Sequence, residues 1–343
     1  MSLPSADRCS FVESEELLAY CAGLMDGDGY FKITKSYRWP SSTYPYYGTS
    51  IGVQQLWPGD AVRLLAARFG GEVRKQTTDP RLRPIARWEL HVRRAEAATK
   101  RLLPYLLVKK DHALVMLEVG RLRRSTRGSW ALRTDRLERL RRTLLSLHEG
   151  SWASAGKPLP VSKSMTGYER LGPAELGWTR KQVLAYLGGI MDSDGNFRVE
   201  KRQIPGMLGP QYRISLRCGQ VAPSPAVNLL RETFGGYTGI KKSRSPKHRD
   251  LIVWSLYDKS AIPAIRALLP FVVVKSAEAH LLLELRLLKA EGKKGLTEWV
   301  HANRWHESVK MRKRCYTTEQ IAEFERIHRT VQALHSGLPS VSR

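Results

Sequence analysis

Apolar residues recur at helical spacing near the start of the chain and then switch to alternation. The helical segment carries its apolar side chains at Leu17, Leu18, Cys21, Leu24 and Met25. That spacing is one face of a 3.6-residue period. From residue 30 onward, Phe31 and Ile33 alternate with polar residues, which is the period of a strand with one buried face. The pattern predicts a helix that runs directly into a strand, with Gly29 as the left-handed residue that ends the helix.

The same helix-to-strand pattern recurs 166 residues later. Residues 17–33 read LLAYCAGLMDGDGYFKI and residues 183–199 read VLAYLGGIMDSDGNFRV, identical at nine of 17 positions. The likeness continues in a Phe-Gly-Gly run and a Leu-Leu-Pro run of each copy. A repeated segment is a repeated structural unit. The sequence therefore predicts two repeats, at 1–150 and 174–343, joined by a linker at 151–173 that is rich in Ser, Gly and Pro.

Each repeat has the pattern of an α+β unit. Within a copy the order is helix, hairpin, helix, hairpin, helix, and the hairpin tips are marked by Pro and Gly, as in WPSSTYPYYG and IPGMLGP. We expect the helices to cover one face of an antiparallel sheet and to leave a polar, basic face open. The second copy is longer, and we place the extra residues in a basic insertion near 290–316.

Charge narrows the class of partner. The chain has 57 Lys and Arg against 32 Asp and Glu, a net charge of +25. A folded chain with such an excess usually binds a polyanion, so nucleic acid is the leading partner.

Membrane, secretion and cysteine signals are absent from the sequence. No apolar run approaches the roughly 20 residues of a membrane span, and the first residues lack the apolar core of a secretory signal. The four cysteines form neither a zinc nor a disulfide pattern. We expect an intracellular protein in a reducing compartment, away from membranes.

Candidate chemistry lies at the ends of the repeated helices. Each ends in two aspartates, Asp26 and Asp28 in the first copy and Asp192 and Asp194 in the second. A carboxylate at a helix C-terminus is disfavoured by about 0.3–1 kcal/mol, which a bound divalent cation would offset. The alternative is that these residues only end the helices through local hydrogen bonds.

Small residues on the same helices allow a close helix pair. They are Ala19, Ala22 and Gly23 in the first copy and Ala185, Gly188 and Gly189 in the second. Small side chains let two helix backbones approach closely. If the two helices pack together, their acidic ends converge at one place.

These segments resemble a known family. LAYCAGLMDGDG and LAYLGGIMDSDG are similar to the two motifs of a single-chain LAGLIDADG homing endonuclease, over roughly residues 15–150 and 172–337. The resemblance implies two pseudo-symmetric repeats with the motif helices packed at a central interface, and a saddle-shaped sheet in each repeat that lies in the DNA major groove. It also implies a monomer that needs no protein partner. Such an enzyme hydrolyses one phosphodiester in each strand of a long, non-palindromic target with a divalent metal and leaves 3′ overhangs.

The same resemblance implies roles for particular residues. Asp28 and Asp194 would bind metal, with backbone carbonyls from Gly27 and Ser193. Mg²⁺ is the expected ion, with Mn²⁺ as an alternative and Ca²⁺ supporting binding without cleavage. Lys109 and Lys275 would stabilise charge near the scissile phosphate, unless they are solvated surface charges. Gln55 and Gln220 would orient water, unless they make strand-end hydrogen bonds. Asp26 and Asp192 suit interface or capping bonds better than catalysis.

Base reading is expected on the strand faces opposite the core. Counting alternate positions from the motifs, and adding polar residues of later strands, gives Lys32, Thr34, Ser36, Arg38, Arg74, Gln76 and Arg87 in the first repeat and Arg198, Glu200, Arg202, Lys242 and Arg244 in the second. Arg and Lys suit guanine, Gln suits adenine, and Glu accepts from cytosine. Each of these side chains could equally contact phosphate or water.

Two alternatives on the same fold stay open. One is an RNA-splicing maturase, and the other is a DNA-binding regulator that does not cleave. The acidic residues at both motif ends favour cleavage. We expect the protein in the compartment of its host genetic element, either the bacterial cytoplasm or an organelle.

Overall fold

A computed structural model describes residues 14–37, 39–77, 79, 83–125, 129–149, 175–203, 210–243, 249–291, 297–304, 307–314 and 316–336, with the backbone alone at Glu149, 297–304 and 307–314. The first repeat comprises α1 (Glu15–Gly27), β1 (Gly29–Ser36), β2 (Tyr46–Leu56), α2 (Asp60–Phe69), β3 (Val73–Gln76), β4 (Ile85–His91), α3 (Val92–Leu102), α4 (Lys110–Arg124) and α5 (Trp130–Glu149). The second comprises α6 (Arg180–Ser193), β5 (Gly195–Arg202), β6 (Gln211–Val221), α7 (Pro225–Phe234), β7 (Tyr237–Lys241), β8 (Leu251–Tyr257), α8 (Ala261–Leu268), α9 (Ser276–Glu291), β9 (Thr297–Arg304), β10 (Glu307–Arg314) and α10 (Thr318–Ser336).

Each repeat builds one four-stranded antiparallel sheet. The strand order is β1-β2-β4-β3 in the first and β5-β6-β8-β7 in the second. On β1 the apolar Phe31 and Ile33 are buried while Lys32 and Thr34 are exposed, so the alternation seen in the sequence separates a core face from an open face. This confirms the α+β fold of two pseudo-symmetric repeats.

The two motif helices, α1 and α6, pack against each other at the centre of the molecule. Both are buried on all sides over most of their length. A Cβ added at Gly23 would lie 2.0 Å from the carbonyl oxygen of Tyr186, and one added at Gly189 would lie 2.2 Å from that of Tyr20. Only glycine permits backbones this close, which confirms the predicted helix pair.

Gly29 does not adopt the predicted left-handed conformation. Asp28 ends α1 in a right-handed conformation, with φ −81° and ψ −9°, and Gly29 is the first residue of β1. A Cβ at Gly29 would lie 2.5 Å from the carbonyl oxygen of Met25. The position needs glycine because the strand leaves close to the helix.

Glycines with positive φ end α2 and α7 instead. Gly70 and Gly235 have φ of 74° and 70°, and each carbonyl accepts a hydrogen bond from a buried indole, at 2.8 Å from Trp88 and 2.7 Å from Trp254. The repeated Phe-Gly-Gly runs therefore fix these helices to their sheets.

The end of each repeat is more divided than predicted. In the first repeat one closing helix was expected, but α3, α4 and α5 follow the second hairpin. Pro104 lies in the 3₁₀ turn Leu103–Tyr105 between α3 and α4, where the missing N–H of proline prevents a continuous helix.

The structure describes part of the predicted insertion but not the predicted linker. The expected insertion near 290–316 contains the hairpin of β9 and β10, which pair with each other, while the expected linker at 151–173 lies outside the described residues. Among the helices that the structure describes, none combines the length and apolar character needed to cross a membrane.

Candidate active site

The acidic ends of α1 and α6 meet at one place. A Cβ added at Gly27 would lie 1.9 Å from the hydroxyl oxygen of Ser193 and 3.0 Å from Oδ2 of Asp194. Burial raises the pKa of Asp28, and the charge of Asp194 raises it further. The two carboxylates therefore share one partly buried site, as expected for converging helix ends.

Each of these aspartates is held by a glutamine from the neighbouring strand. Gln55 Nε2 donates to Asp28 Oδ2 at 2.9 Å, and Gln220 Nε2 donates to Asp194 Oδ2 at 2.8 Å. The amide group fixes the orientation of the carboxylate and leaves its other oxygen for a further partner.

The two glutamines differ in their second contact. The Gln220 amide oxygen accepts a hydrogen bond from Ser224 Oγ, whereas the Gln55 amide oxygen is buried without a hydrogen-bond partner among the described residues. Gly59, which precedes α2 as Ser224 precedes α7, has no hydroxyl to offer. The two halves of the site are therefore chemically unequal.

Lys109 and Lys275 cap the C-terminal ends of the motif helices. Lys109 Nζ donates to the carbonyl oxygens of Met25, Gly27 and Gly29 at 2.9, 2.6 and 2.7 Å. Lys275 Nζ repeats this with Met191, Ser193 and Gly195 at 2.9, 3.1 and 2.7 Å. All three ammonium protons are used in each case, and the cation opposes the negative end of the helix dipole.

The lysines nevertheless act on the site electrostatically. Burial lowers the pKa of Lys109 and of Lys275, while nearby aspartates, Asp28 and Asp194 among them, oppose that shift in both. Both lysines therefore interact electrostatically with the carboxylates of Asp28 and Asp194. The carbonyls of Gly27 and Ser193, which the family resemblance implies as metal ligands, accept hydrogen bonds from these ammonium groups.

Asp26 and Asp192 are structural. The carboxylate of Asp26 accepts from the backbone N–H groups of 107–109 at 2.7, 3.0 and 2.8 Å and from the hydroxyl of Tyr186 at 2.8 Å. Asp192 repeats this with the N–H groups of 273–275 and the hydroxyl of Tyr20. The predicted interface role of these two residues is confirmed.

The donor set suits a hard divalent cation. The site offers carboxylate, amide and carbonyl oxygens, and the Gln55 amide oxygen lacks a hydrogen-bond donor among the described residues. The described residues hold no cluster of three or more His, Cys, Asp or Glu. A Mg²⁺ ion commonly takes one or two carboxylates and completes its shell with water and phosphate, so Asp28 and Asp194 fit such an ion.

Most of the predicted base-reading residues share the open face of a sheet. Strand alternation and pairing place together Lys32, Thr34 and Ser36 on β1, Arg74 and Gln76 on β3, Arg87 on β4, and Arg198, Glu200 and Arg202 on β5. Lys242 follows β7 and forms an ion pair with Asp250 at 2.6 Å. Arg38 and Arg244 lie outside the described residues.

Two arginines of β6 belong to the same face and were missed. Arg213 and Arg217 both donate to Glu200, at 2.7 Å in each case. Their signal is present in the segment QYRISLRC (211–218), where buried apolar residues alternate with arginine and serine. Strand alternation within this segment places both arginines on the open face.

The comparisons with known proteins agree on the fold. The structure of the meganuclease I-SmaMI bound to an uncleavable DNA with a TTCT central four aligns with a TM-score of 0.60 and 15% identity, covering 96% of this chain and 100% of that one. The LAGLIDADG meganuclease I-AabMI bound to uncleaved DNA aligns with a TM-score of 0.59 and 12% identity, covering 91% and 98%.

A third structure, I-SmaMI bound to an uncleaved DNA target with calcium ions, aligns with a TM-score of 0.57 and 17% identity, covering 94% and 98%. No protein-family profile and no curated protein sequence matches the chain. The chain thus has the fold of a LAGLIDADG meganuclease, which confirms the resemblance at the level of structure.

Proposed function

We propose that this protein is a sequence-specific double-strand DNA endonuclease. The observation that carries the proposal is the convergence of Asp28 and Asp194 at the ends of two packed helices, between two sheets with polar open faces. A DNA-binding protein without catalysis has no need of two carboxylates next to the phosphates, because they repel the backbone that it binds. The net charge of +25 supplies the attraction.

Asp28 and Asp194 would hold the divalent metal, with Mg²⁺ expected and Mn²⁺ as the alternative. When bound, such an ion supplies a more acidic water and stabilises charge on phosphate oxygens. Gln55 and Gln220 keep the carboxylates in one orientation. Lys109 and Lys275 keep positive charge beside the site and fix the helix ends that carry the carboxylates.

The form of the substrate follows from the duplicated chain. One polypeptide supplies both halves of the site, so we expect a monomer that hydrolyses one phosphodiester per strand. The open faces differ, with Gly48 opposite Thr34 in one sheet and Arg213 opposite Glu200 in the other. We therefore expect a long target with unlike half-sites. The 3′ overhangs and the compartment of a host genetic element follow from the family resemblance.

Structures of a protein with the same fold support this proposal. The structure of I-SmaMI has been determined with cleaved DNA, and with uncleaved DNA in the presence of calcium ions. For the present protein we expect Ca²⁺ to support binding without cleavage. A maturase or a regulator that does not cleave would retain the fold without needing both aspartates.

Cleavage of a randomised duplex library tests the proposal. The purified chain is incubated with the library and Mg²⁺, with EDTA as the control, and the cut ends are sequenced. We expect metal-dependent double-strand cuts within one long motif. Binding of a defined duplex without any cut in Mg²⁺ or Mn²⁺ would indicate a regulator. A preference for structured RNA over every duplex would indicate a maturase.

A further inference from the structure

The open face of the second sheet carries three arginines gathered around one glutamate. We call Arg202, Arg213 and Arg217 the arginine cluster. Glu200 Oε2 accepts from Arg202 at 2.7 Å and from Arg213 at 2.7 Å, while Oε1 accepts from Arg217 at 2.7 Å. Burial alone would raise the pKa of Glu200, but the hydrogen bond of Arg213 and the charges of Arg217 and Arg213 hold that pKa below its ordinary value.

An aromatic ring supports two of these arginines. The guanidinium carbon of Arg213 lies 3.9 Å from the centre of the Tyr257 ring, and that of Arg217 lies 5.5 Å from it. Arg217 also donates to the Tyr257 hydroxyl at 3.1 Å. Stacking and hydrogen bonding together fix the guanidinium planes in the absence of DNA.

The arginines keep donors for a ligand. A guanidinium has five N–H groups, and the bonds to Glu200 and Tyr257 use two in each of the three arginines. The Nε of Arg217 is buried without a hydrogen-bond partner among the described residues, so its Nη1 is the group left for a ligand. The side chain of Glu200 is only 11% exposed, whereas those of Arg202, Arg213 and Arg217 are 48%, 26% and 37% exposed. The glutamate is therefore largely buried beneath the arginines, whose side chains are open to a ligand.

Among its described residues, the first sheet has no glutamate that pairs with three arginines. Thr34 pairs with Gly48 and Tyr30 pairs with Gly52 in the register where Glu200 pairs with Arg213 and Asn196 pairs with Arg217. A Cβ at Gly52 would lie 2.5 Å from the Tyr30 hydroxyl. Gly52 thus leaves room for Tyr30 at the position where the second sheet carries Arg217.

We propose that Glu200 is a positioning residue that holds the arginine cluster for guanine, so that the half-site read by the second sheet is rich in guanine. This rests on the proposed DNA-binding function. Arginine recognises guanine through two hydrogen bonds to O6 and N7 in the major groove, and a fixed guanidinium loses less conformational freedom on binding. A carboxylate among the arginines opposes phosphate contact but not contact with the uncharged edge of a guanine.

From strand alternation alone, Glu200 was expected to accept a hydrogen bond from cytosine. Three arginines already donate to its two carboxylate oxygens, and its side chain is only 11% exposed. Moving the carboxylate out to a cytosine would weaken these charge-assisted bonds, which is costly. The arginines are therefore the base readers, and the glutamate orients them.

Binding selection with the full chain tests this role. Wild-type protein and Glu200→Gln are each selected on randomised duplexes in Ca²⁺, and affinities for the selected target and for an unrelated duplex are measured. We expect wild type to select guanines in one half-site. In Glu200→Gln we expect the preference for those guanines to fall about 10-fold, while affinity for the unrelated duplex rises because one negative charge is lost.

Two further variants separate orientation from charge. Glu118→Gln removes a carboxylate that pairs with Arg121 on α4, and we expect it to leave the guanine preference unchanged. Arg213→Lys keeps the charge and removes the two-point contact, so we expect the guanine preference to fall without gain in unrelated binding. If Glu200→Gln lowers the melting temperature, Arg213→Lys decides the question.

The outcomes distinguish this proposal from the proposed function. Selection of a specific target, with guanine preference unchanged in Glu200→Gln and Arg213→Lys, would overturn the role of the cluster alone. A change in Glu200→Gln confined to one cytosine position would assign direct reading to the glutamate and would also overturn it. If the wild type selected no duplex at all, both the role of the arginine cluster and the proposed DNA-binding function would be overturned.

Discussion

Each motif helix gives the opposite repeat a tyrosine hydroxyl. Tyr186 donates to Asp26 and Tyr20 donates to Asp192, both at 2.8 Å, and all four residues are buried. Burial raises the pKa of Asp26 and of Asp192, while backbone N–H groups and the tyrosine oppose that shift. These two exchanged hydrogen bonds therefore link the repeats across their interface.

Removing either hydroxyl should destabilise the protein. Tyr186→Phe or Tyr20→Phe leaves a buried carboxylate with one donor fewer, which costs about 1–2 kcal/mol. Urea unfolding should show this loss for each variant, with the exposed Tyr44→Phe as the control. Stability equal to wild type in both variants would mean that the hydroxyls add nothing to the interface.

His112 should make stability depend on pH. Burial lowers its pKa from 6.5 to about 3, and His148, Lys109 and Arg249 add to the shift. The folded state thus binds fewer protons than the unfolded state below pH 6.5. Its contribution to stability is complete above pH 6.5 and is lost as the pH falls towards 3.

The matching variant is His112→Phe, which keeps a ring beside Phe31 and His148. Between pH 6.5 and 5.5 the wild type should lose about 1 kcal/mol more than this variant. Thermal unfolding at both pH values measures the difference, with the exposed His280→Gln as the control. An identical decline in wild type and His112→Phe would show that His112 is not the titrating group.

The sequence predicted part of the site and not the rest. Placement of Asp28 and Asp194 followed from a repeated local pattern. The caps made by Lys109 and Lys275 did not, because their carbonyl partners lie about 80 residues away in the chain. The clustering of arginines around Glu200 joins residues of two strands and depends on their register. Spacing within one segment cannot give such contacts.

At the scale of elements, strand alternation was the most informative pattern. It identified the open face of β1 and β5, because a strand repeats every two residues. Helix ends were less predictable: Gly29 serves close approach instead of a left-handed turn. The hairpin of β9 and β10 has no counterpart among the described residues of the first repeat, so the repeated pattern did not predict it.

The contact between α1 and α6 should tolerate no added carbon. Gly→Ala in an unhindered helix stabilises by about 1 kcal/mol, but Gly23→Ala places a carbon 2.0 Å from a backbone oxygen. Forcing the helices apart should cost about 1–3 kcal/mol instead. It should also separate Asp28 from Asp194, so we expect cleavage to fall along with the free energy of unfolding.

Gly120→Ala on α4 is the matched control. Its added carbon would meet the carboxylate end of Glu96 at 2.5 Å, and a side-chain end can move where a backbone cannot. We expect a smaller loss of stability and unchanged cleavage. Gly23→Ala with stability at or above wild type would contradict the close packing of the motif helices.

At the scale of the whole molecule, the net charge of +25 should appear as salt dependence. Affinity falls with salt as counterions are released, and about six phosphate contacts reduce it about 1,000-fold between 50 and 200 mM. Titration of the selected duplex in Ca²⁺ measures the slope. A change below 10-fold would show that phosphate contacts do not dominate binding.

On the proposed function, one chain cuts both DNA strands through Asp28 and Asp194 at one site. The most direct measurement follows a selected target labelled on both strands, in Mg²⁺, with wild type, Asp28→Asn and Asp194→Asn. We predict double-strand cleavage by the wild type, and binding without double-strand cleavage by either variant. Double-strand cleavage at the wild-type rate by either variant would contradict the account.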